Sequence, residues 1–106
     1  MAKVVALSTD LLLGSKVEAM LSAAGHEVTL ASSLPEQLEE VDLLVADLDA
    51  EDPQALAETG IPTLGYYSHV NVETKEAAEA AGIACVVPRS RMARELPDLV
   101  FKLLKR

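Results

Sequence analysis

Short uninterrupted apolar runs recur along the chain at Val4–Leu7, Leu43–Ala46 and Ala84–Val87. Such runs suit strands covered on both faces, and these three are the candidates for the centre of a sheet. His26–Ala31 alternates instead, with Val28 and Leu30 on one side and Glu27 and Thr29 on the other, which predicts a half-exposed edge strand. Pro62–Tyr67 is the weakest strand prediction, because Gly65 interrupts it and Pro62 can stand only near its start. Between these runs the period changes. Leu13, Val17, Met20, Leu21 and Ala24 form one apolar stripe on a helical repeat of about 3.6 residues, closed by Gly25. Ser33 with Glu36 has the pattern of a capping box and predicts a short second helix. Asp52–Pro53 starts a third that Gly60 closes. Asn71 caps a fourth, alanine-faced and ended by Gly82, and a fifth begins near Pro97 with Leu96, Leu99, Val100 and Leu103 in one stripe.

Three junctions, AAGHEV, ETGIPT and AAGIAC, run from a helix end through glycine into a strand, so one αβ turn is used repeatedly. Strands separated by single helices are driven into a parallel sheet with right-handed crossovers. The expectation is one α/β domain over residues 1–106: a flavodoxin-like, doubly wound (βα)5 fold with strand order 2-1-3-4-5.

Charge and composition narrow the function. Nine Lys and Arg stand against 17 Asp and Glu, a net charge of -8, which repels phosphate backbones and anionic lipid and argues against nucleic-acid binding. No apolar run approaches the roughly 20 residues of a membrane span, and the N-terminus does not read as a secretory leader, so a cytoplasmic location is expected. The lone Cys85 lies inside an apolar run, where a small buried hydrophobe is the simpler reading.

In a sheet of this kind the functional crevice lies beyond the carboxyl ends of the strands. Those ends carry Ser8, Thr9 and Asp10, then Asp47 and Asp49, then Tyr67, Ser68 and His69, and finally Pro88, Arg89 and Ser90. The order of elements, together with DLLVADLD at 42–49, IPTLGYYS at 61–68 and AGIACVVPRS at 81–90, resembles the receiver domain of bacterial two-component response regulators. The resemblance implies that Asp47 stands at the phosphoacceptor position, that Tyr67 or Ser68 holds the hydroxyl position, and that Arg89 replaces a conserved-type lysine. It also implies a partner or homodimer surface on the fourth helix, fifth strand and fifth helix. The departures are at the metal: a receiver holds Mg2+ with two acids at the end of its first strand, and here Ser8 and Thr9 occupy those places, with Asp10 one step beyond. Asp10 and Asp47 alone would make a poor octahedral site, so no metal or other cofactor is expected.

Two readings of Asp47 remain open, a phosphoacceptor or a strand-end acid paired with Arg89, which would lower its pKa. Asp10 reads as a helix cap more readily than as a ligand, and Asp49, Glu51 and Asp52 as a solvated turn with a cap. The leading expectation is a non-enzymatic pseudo-receiver that signals through protein contacts. The alternatives are a sensor that binds a phosphorylated metabolite or nucleotide among Ser8, Thr9, Ser15, Ser68, Arg89 and Ser90, and a working receiver phosphorylated at Asp47.

Overall fold

The computed structural model describes residues 2–68 and 72–105. Its elements are β1 (Lys3–Leu7), α1 (Leu11–Ala23), β2 (Glu27–Ala31), β3 (Leu43–Asp47), α2 (Pro53–Glu58), β4 (Thr63–Tyr67), α3 (Val72–Ala81), β5 (Cys85–Pro88) and α4 (Arg89–Leu104). All strand pairs are parallel, in the order β2-β1-β3-β4-β5. This is the expected doubly wound sheet.

Strand alternation divides the core in two. Val4, Ala6, Leu43, Val45, Leu64, Tyr66 and Val87 face α1 and α4, whose Val17, Leu21, Met92, Leu96 and Val100 close over them. On the other face Val5, Leu7, Leu44, Ala46 and Tyr67 meet Leu56 of α2 and Ala78 of α3. Gly25, Gly60 and Gly82 all have positive φ, at 95°, 73° and 93°, as the repeated helix-to-strand turn requires.

Four expectations are corrected. No helix forms after Ser33: residues 32–42 are bends and a turn, and the described residues hold four α-helices. Pro35 disfavours helical backbone at Leu34, and the segment instead packs Leu34, Leu38 and Val41 onto the second core. The last helix starts at Arg89, well before Pro97, because Met92 extends the apolar stripe by a turn. Pro97 removes the main-chain bond to Ala93 inside that helix, and burial of Leu96, Leu99, Val100 and Leu103 offsets the loss. β5 lies at an edge, whereas β4 is central and buried at every position. Gly65 is a packing requirement there, since a Cβ would fall 2.6 Å from Cδ1 of Leu48. The predicted Asn71 cap lies outside the described residues.

Candidate functional site

The strand ends converge as expected, but their polar groups are mostly turned on one another. Asp47, the last residue of β3, is only 4% exposed. Its Oδ1 accepts from the Asp49 amide at 3.0 Å, and its main-chain oxygen accepts from Ala50 and Glu51 at 3.1 and 2.9 Å, forming the turn that leads to α2. Its Oδ2 lies 3.7 Å from Nη2 of Arg89, the first residue of α4. That distance is an ion pair rather than a short hydrogen bond.

Burial decides the ionisation of Asp47. Loss of water raises its pKa, more than the Asp49 amide and the Arg89 charge lower it, while the charges of Asp49 and Asp10 add to the rise. Arg89 does lower the pKa, as the pairing predicts, but burial outweighs it and the net direction is upward. Glu51 is raised too, by burial first and by Asp47 second.

Around this pair the other strand-end groups have their own partners. Asp10 is the N-cap of α1, where one carboxylate oxygen accepts from the amides of Leu12 and Leu13 at 3.0 and 3.2 Å. Ser8 fixes the approach to that cap: its hydroxyl accepts from the Asp10 amide and donates to the Asp10 carbonyl, both at 3.1 Å. Asp52 caps α2 through the Gln54 amide at 3.1 Å. Thr9 and Ser90 are exposed, Ser90 in the first turn of α4. His26, read as structural, accepts the Ala2 amide on Nδ1 at 3.1 Å. His69 lies outside the described residues.

Two contributors were not legible as such. Asp49, read as part of a solvated turn, ties β3 to β4 by accepting both the amide and the hydroxyl of Ser68 at 2.9 Å. Tyr66 pairs in register with Asp47, and its ring is buried on the α1 and α4 side. Burial pushes its hydroxyl pKa up, opposed by a hydrogen bond with the Ser8 side chain, with Asp47 adding to the rise and Arg89 opposing it. Strand parity was the available signal, because a residue opposite Asp47 in a parallel pair shares its face. Neither tyrosine turns outward: Tyr67, a hydroxyl-position candidate, is 7% exposed in the opposite core, which leaves Ser68 as the hydroxyl at the crevice. Both faces of the sheet are covered, so alternation sends the two rings into different cores.

Among the described residues no group of three or more Asp, Glu, His or Cys is arranged to hold a metal ion, and no helix is long and apolar enough to cross a membrane. The donors available for Mg2+ fit it poorly: Asp10 is engaged by an N-terminus, Asp49 by Ser68, and Ser8 and Thr9 are neutral.

Neither a family model nor any curated protein matches the sequence. The fold, by contrast, matches solved structures over the whole chain. The receiver domain of the TMAO respiratory system response regulator TorR aligns with a TM-score of 0.88 at 20% identity, covering 100% of this chain and 98% of that one. A response regulator receiver domain protein from Clostridium thermocellum aligns at 0.86 and 15%, covering 100% and 96%. A putative response regulator from Chloroflexus aurantiacus aligns at 0.84 and 22%, covering 99% and 98%. The chain has the fold of response-regulator receiver domains.

Proposed function

We propose that this protein is a receiver-like signalling module that acts by binding other proteins, without catalysis of its own and without efficient phosphorylation at Asp47. The observation that carries the reading is the state of Asp47: buried, facing Arg89, and flanked by acids already committed to an N-cap and to Ser68. Phosphoryl transfer to a carboxylate needs a metal to neutralise charge on the incoming group, and Ser8 and Thr9 supply no charge for holding one. The fold supports a signalling role, and the partner surface is placed on α3, β5 and α4. There Arg91 and Arg94 both pair with Glu95, at 3.4 and 3.6 Å, and Phe101 is exposed with the Lys105 ammonium 4.8 Å from its ring centre. An exposed aromatic side chain among charged groups is a common feature of protein contacts.

Amide shifts in a two-dimensional NMR titration with Mg2+ and then beryllium fluoride, on wild type and Asp47→Ala, test the proposal. The expected result is no saturable shift around Asp47, Ser68 and Arg89 at millimolar Mg2+. Saturable shifts that vanish in Asp47→Ala would establish a phosphorylation switch and reject it.

One feature favours the anion-sensor reading. Nε of Arg89 is buried and has no hydrogen-bond partner among the described residues, beside a helix start with no side-chain cap. Against it stand Asp47, Asp49 and Glu51, which make the same crevice acidic. Thermal stabilisation by inorganic phosphate that disappears in Arg89→Ala would move the assignment to this second reading.

A further inference from the structure

Gly14 is a glycine that the fold does not need. It is the fourth residue of α1, inside a helix where alanine is the more favourable residue, and its φ is not positive. A Cβ there would stand 3.6 Å from Cδ2 of Leu30 and 3.7 Å from Cβ of Ser8, both ordinary van der Waals separations. Gly65 is the contrast, because a Cβ at that position collides with Leu48. Neither backbone conformation nor close packing accounts for Gly14. What its missing side chain leaves is space, a hollow of about 150 Å3 between α1 and β2 with Leu11, Leu30 and Ala31 as its apolar walls.

The mouth of the hollow is acidic. Asp10 stands there with Ser8 and Ser32. Both amides that Asp10 caps go to one carboxylate oxygen, Oδ1, so Oδ2 carries charge with no hydrogen-bond donor on it among the described residues. Glu18, one helical turn past Gly14 on the same side of α1, has no ion pair among the described residues. Lys16, the only cation of α1, is two residues from Gly14 and so on the opposite side of the helix. A carboxylate at the mouth repels a small anion, and a second copy would bring another net charge of -8. Apolar walls below a carboxylate suit a long side chain that ends in a cation, whose methylene stem lies on apolar surface while its head meets the acid.

We infer that this hollow anchors a lysine or arginine side chain from a basic segment of a partner protein, with its stem over Gly14 and Leu30 and its cation on Oδ2 of Asp10. Leu11 and Leu12, 81% and 87% exposed at the start of α1, flank the entry and meet apolar side chains of the same segment. Charge gives the contact its selectivity: the partner must be basic, and added salt must weaken it. The surface lies beside β2, at the other end of the sheet from β5. It is separate from the α3, β5 and α4 face, and it stands whether or not that face binds a partner or Asp47 is ever phosphorylated.

Amide shifts titrated with a synthetic peptide of lysine and leucine, and with its glutamate and leucine counterpart, test the inference on wild type, Asp10→Asn, Gly14→Ala and Glu58→Gln. Saturable binding of the lysine peptide alone is expected, with shifts concentrated at Leu11, Gly14, Leu30 and Ser32. Asparagine caps a helix as aspartate does, so Asp10→Asn keeps α1 and removes the charge, and it should weaken binding by at least about tenfold. Gly14→Ala should raise the melting temperature and still weaken binding several-fold, because the added methyl narrows the hollow. Glu58→Gln removes the same charge from α2, on the opposite face of the sheet, and should leave binding unchanged. The inference is overturned by no saturable binding, by equal binding of both peptides, or by shifts centred on Asp47 or α4. It is equally overturned by a Gly14→Ala protein that binds as wild type does, or by a loss in Glu58→Gln equal to that in Asp10→Asn.

Discussion

β3 and β2 are both five-residue strands of one parallel sheet, yet β3 is buried at all five positions and β2 at none. The difference follows from position. A central strand has neighbours on both edges and helices on both faces, so its side chains are uniformly apolar and the acid at its end, Asp47, is drawn out of water with them. An edge strand keeps one side wet, and its polar residues do not disturb the core. Burial therefore makes Asp47 a constrained group, whereas the β2 edge remains free to meet something else.

The largest test of this contrast is in the core. Leu64, fully buried on β4, should cost about 3 kcal/mol when replaced by alanine, read from urea denaturation, because its removal leaves a cavity between α4 and the sheet. A loss below about 1 kcal/mol would mean that the central strands are not packed as described. At the crevice, Asp10→Ala should cost about 1 kcal/mol by the same measurement, since two amides of α1 lose their acceptor.

A smaller effect concerns pH. The folded-state pKa of Asp47 is raised above its ordinary 3.8, so the folded protein holds that proton more tightly than the unfolded chain does. Its contribution to stability then falls as pH rises from below 3.8 through the raised value, and Glu51 contributes in the same direction from 4.5 upward. Asp47→Asn keeps an oxygen for the Asp49 amide and removes the buried charge. Relative to wild type it should gain stability as pH rises above the ordinary aspartate value, and a relative loss in that direction would count against burial as the dominant cause. The smallest effect belongs to the edge: Leu30→Ala should change monomer stability by less than about 1 kcal/mol in dilute solution, where Leu64→Ala costs several times more.

Much of the architecture was legible before any coordinates. The apolar runs at Val4, Leu43 and Ala84, the alternation of β2 and the glycines at 25, 60 and 82 sufficed for a parallel sheet in the observed order. The misreadings have local causes. A capping-box pattern at Ser33 was outweighed by Pro35 and by the pull of Leu34 and Leu38 toward the second core. Pro97 looked like a helix start because the burial that sustains a helix through a proline is a tertiary effect. Gly65 looked like a weakness in β4, and only the packing of Leu48 against it shows why a side chain is excluded.

The site was legible at the level of residues and less so at the level of pairings. Asp47 and Arg89 do meet, Asp10 does cap α1, and Ser68 does reach the crevice. The roles of Asp49 and Tyr66 depend on which strand ends lie side by side, information that a linear pattern holds only through strand order and parity. The balance between desolvation and the Arg89 charge at Asp47 was also out of reach, because it depends on how much water the fold removes.

The most direct test of the account is to titrate the side-chain carboxyl of Asp47 by carbon-13 NMR in wild type and Arg89→Ala, with and without millimolar Mg2+. A pKa above the ordinary aspartate value, rising further in Arg89→Ala and unmoved by Mg2+, is the predicted result. A pKa below that value in wild type, or one that Mg2+ draws sharply down, would contradict the account and make Asp47 a metal-linked phosphoacceptor.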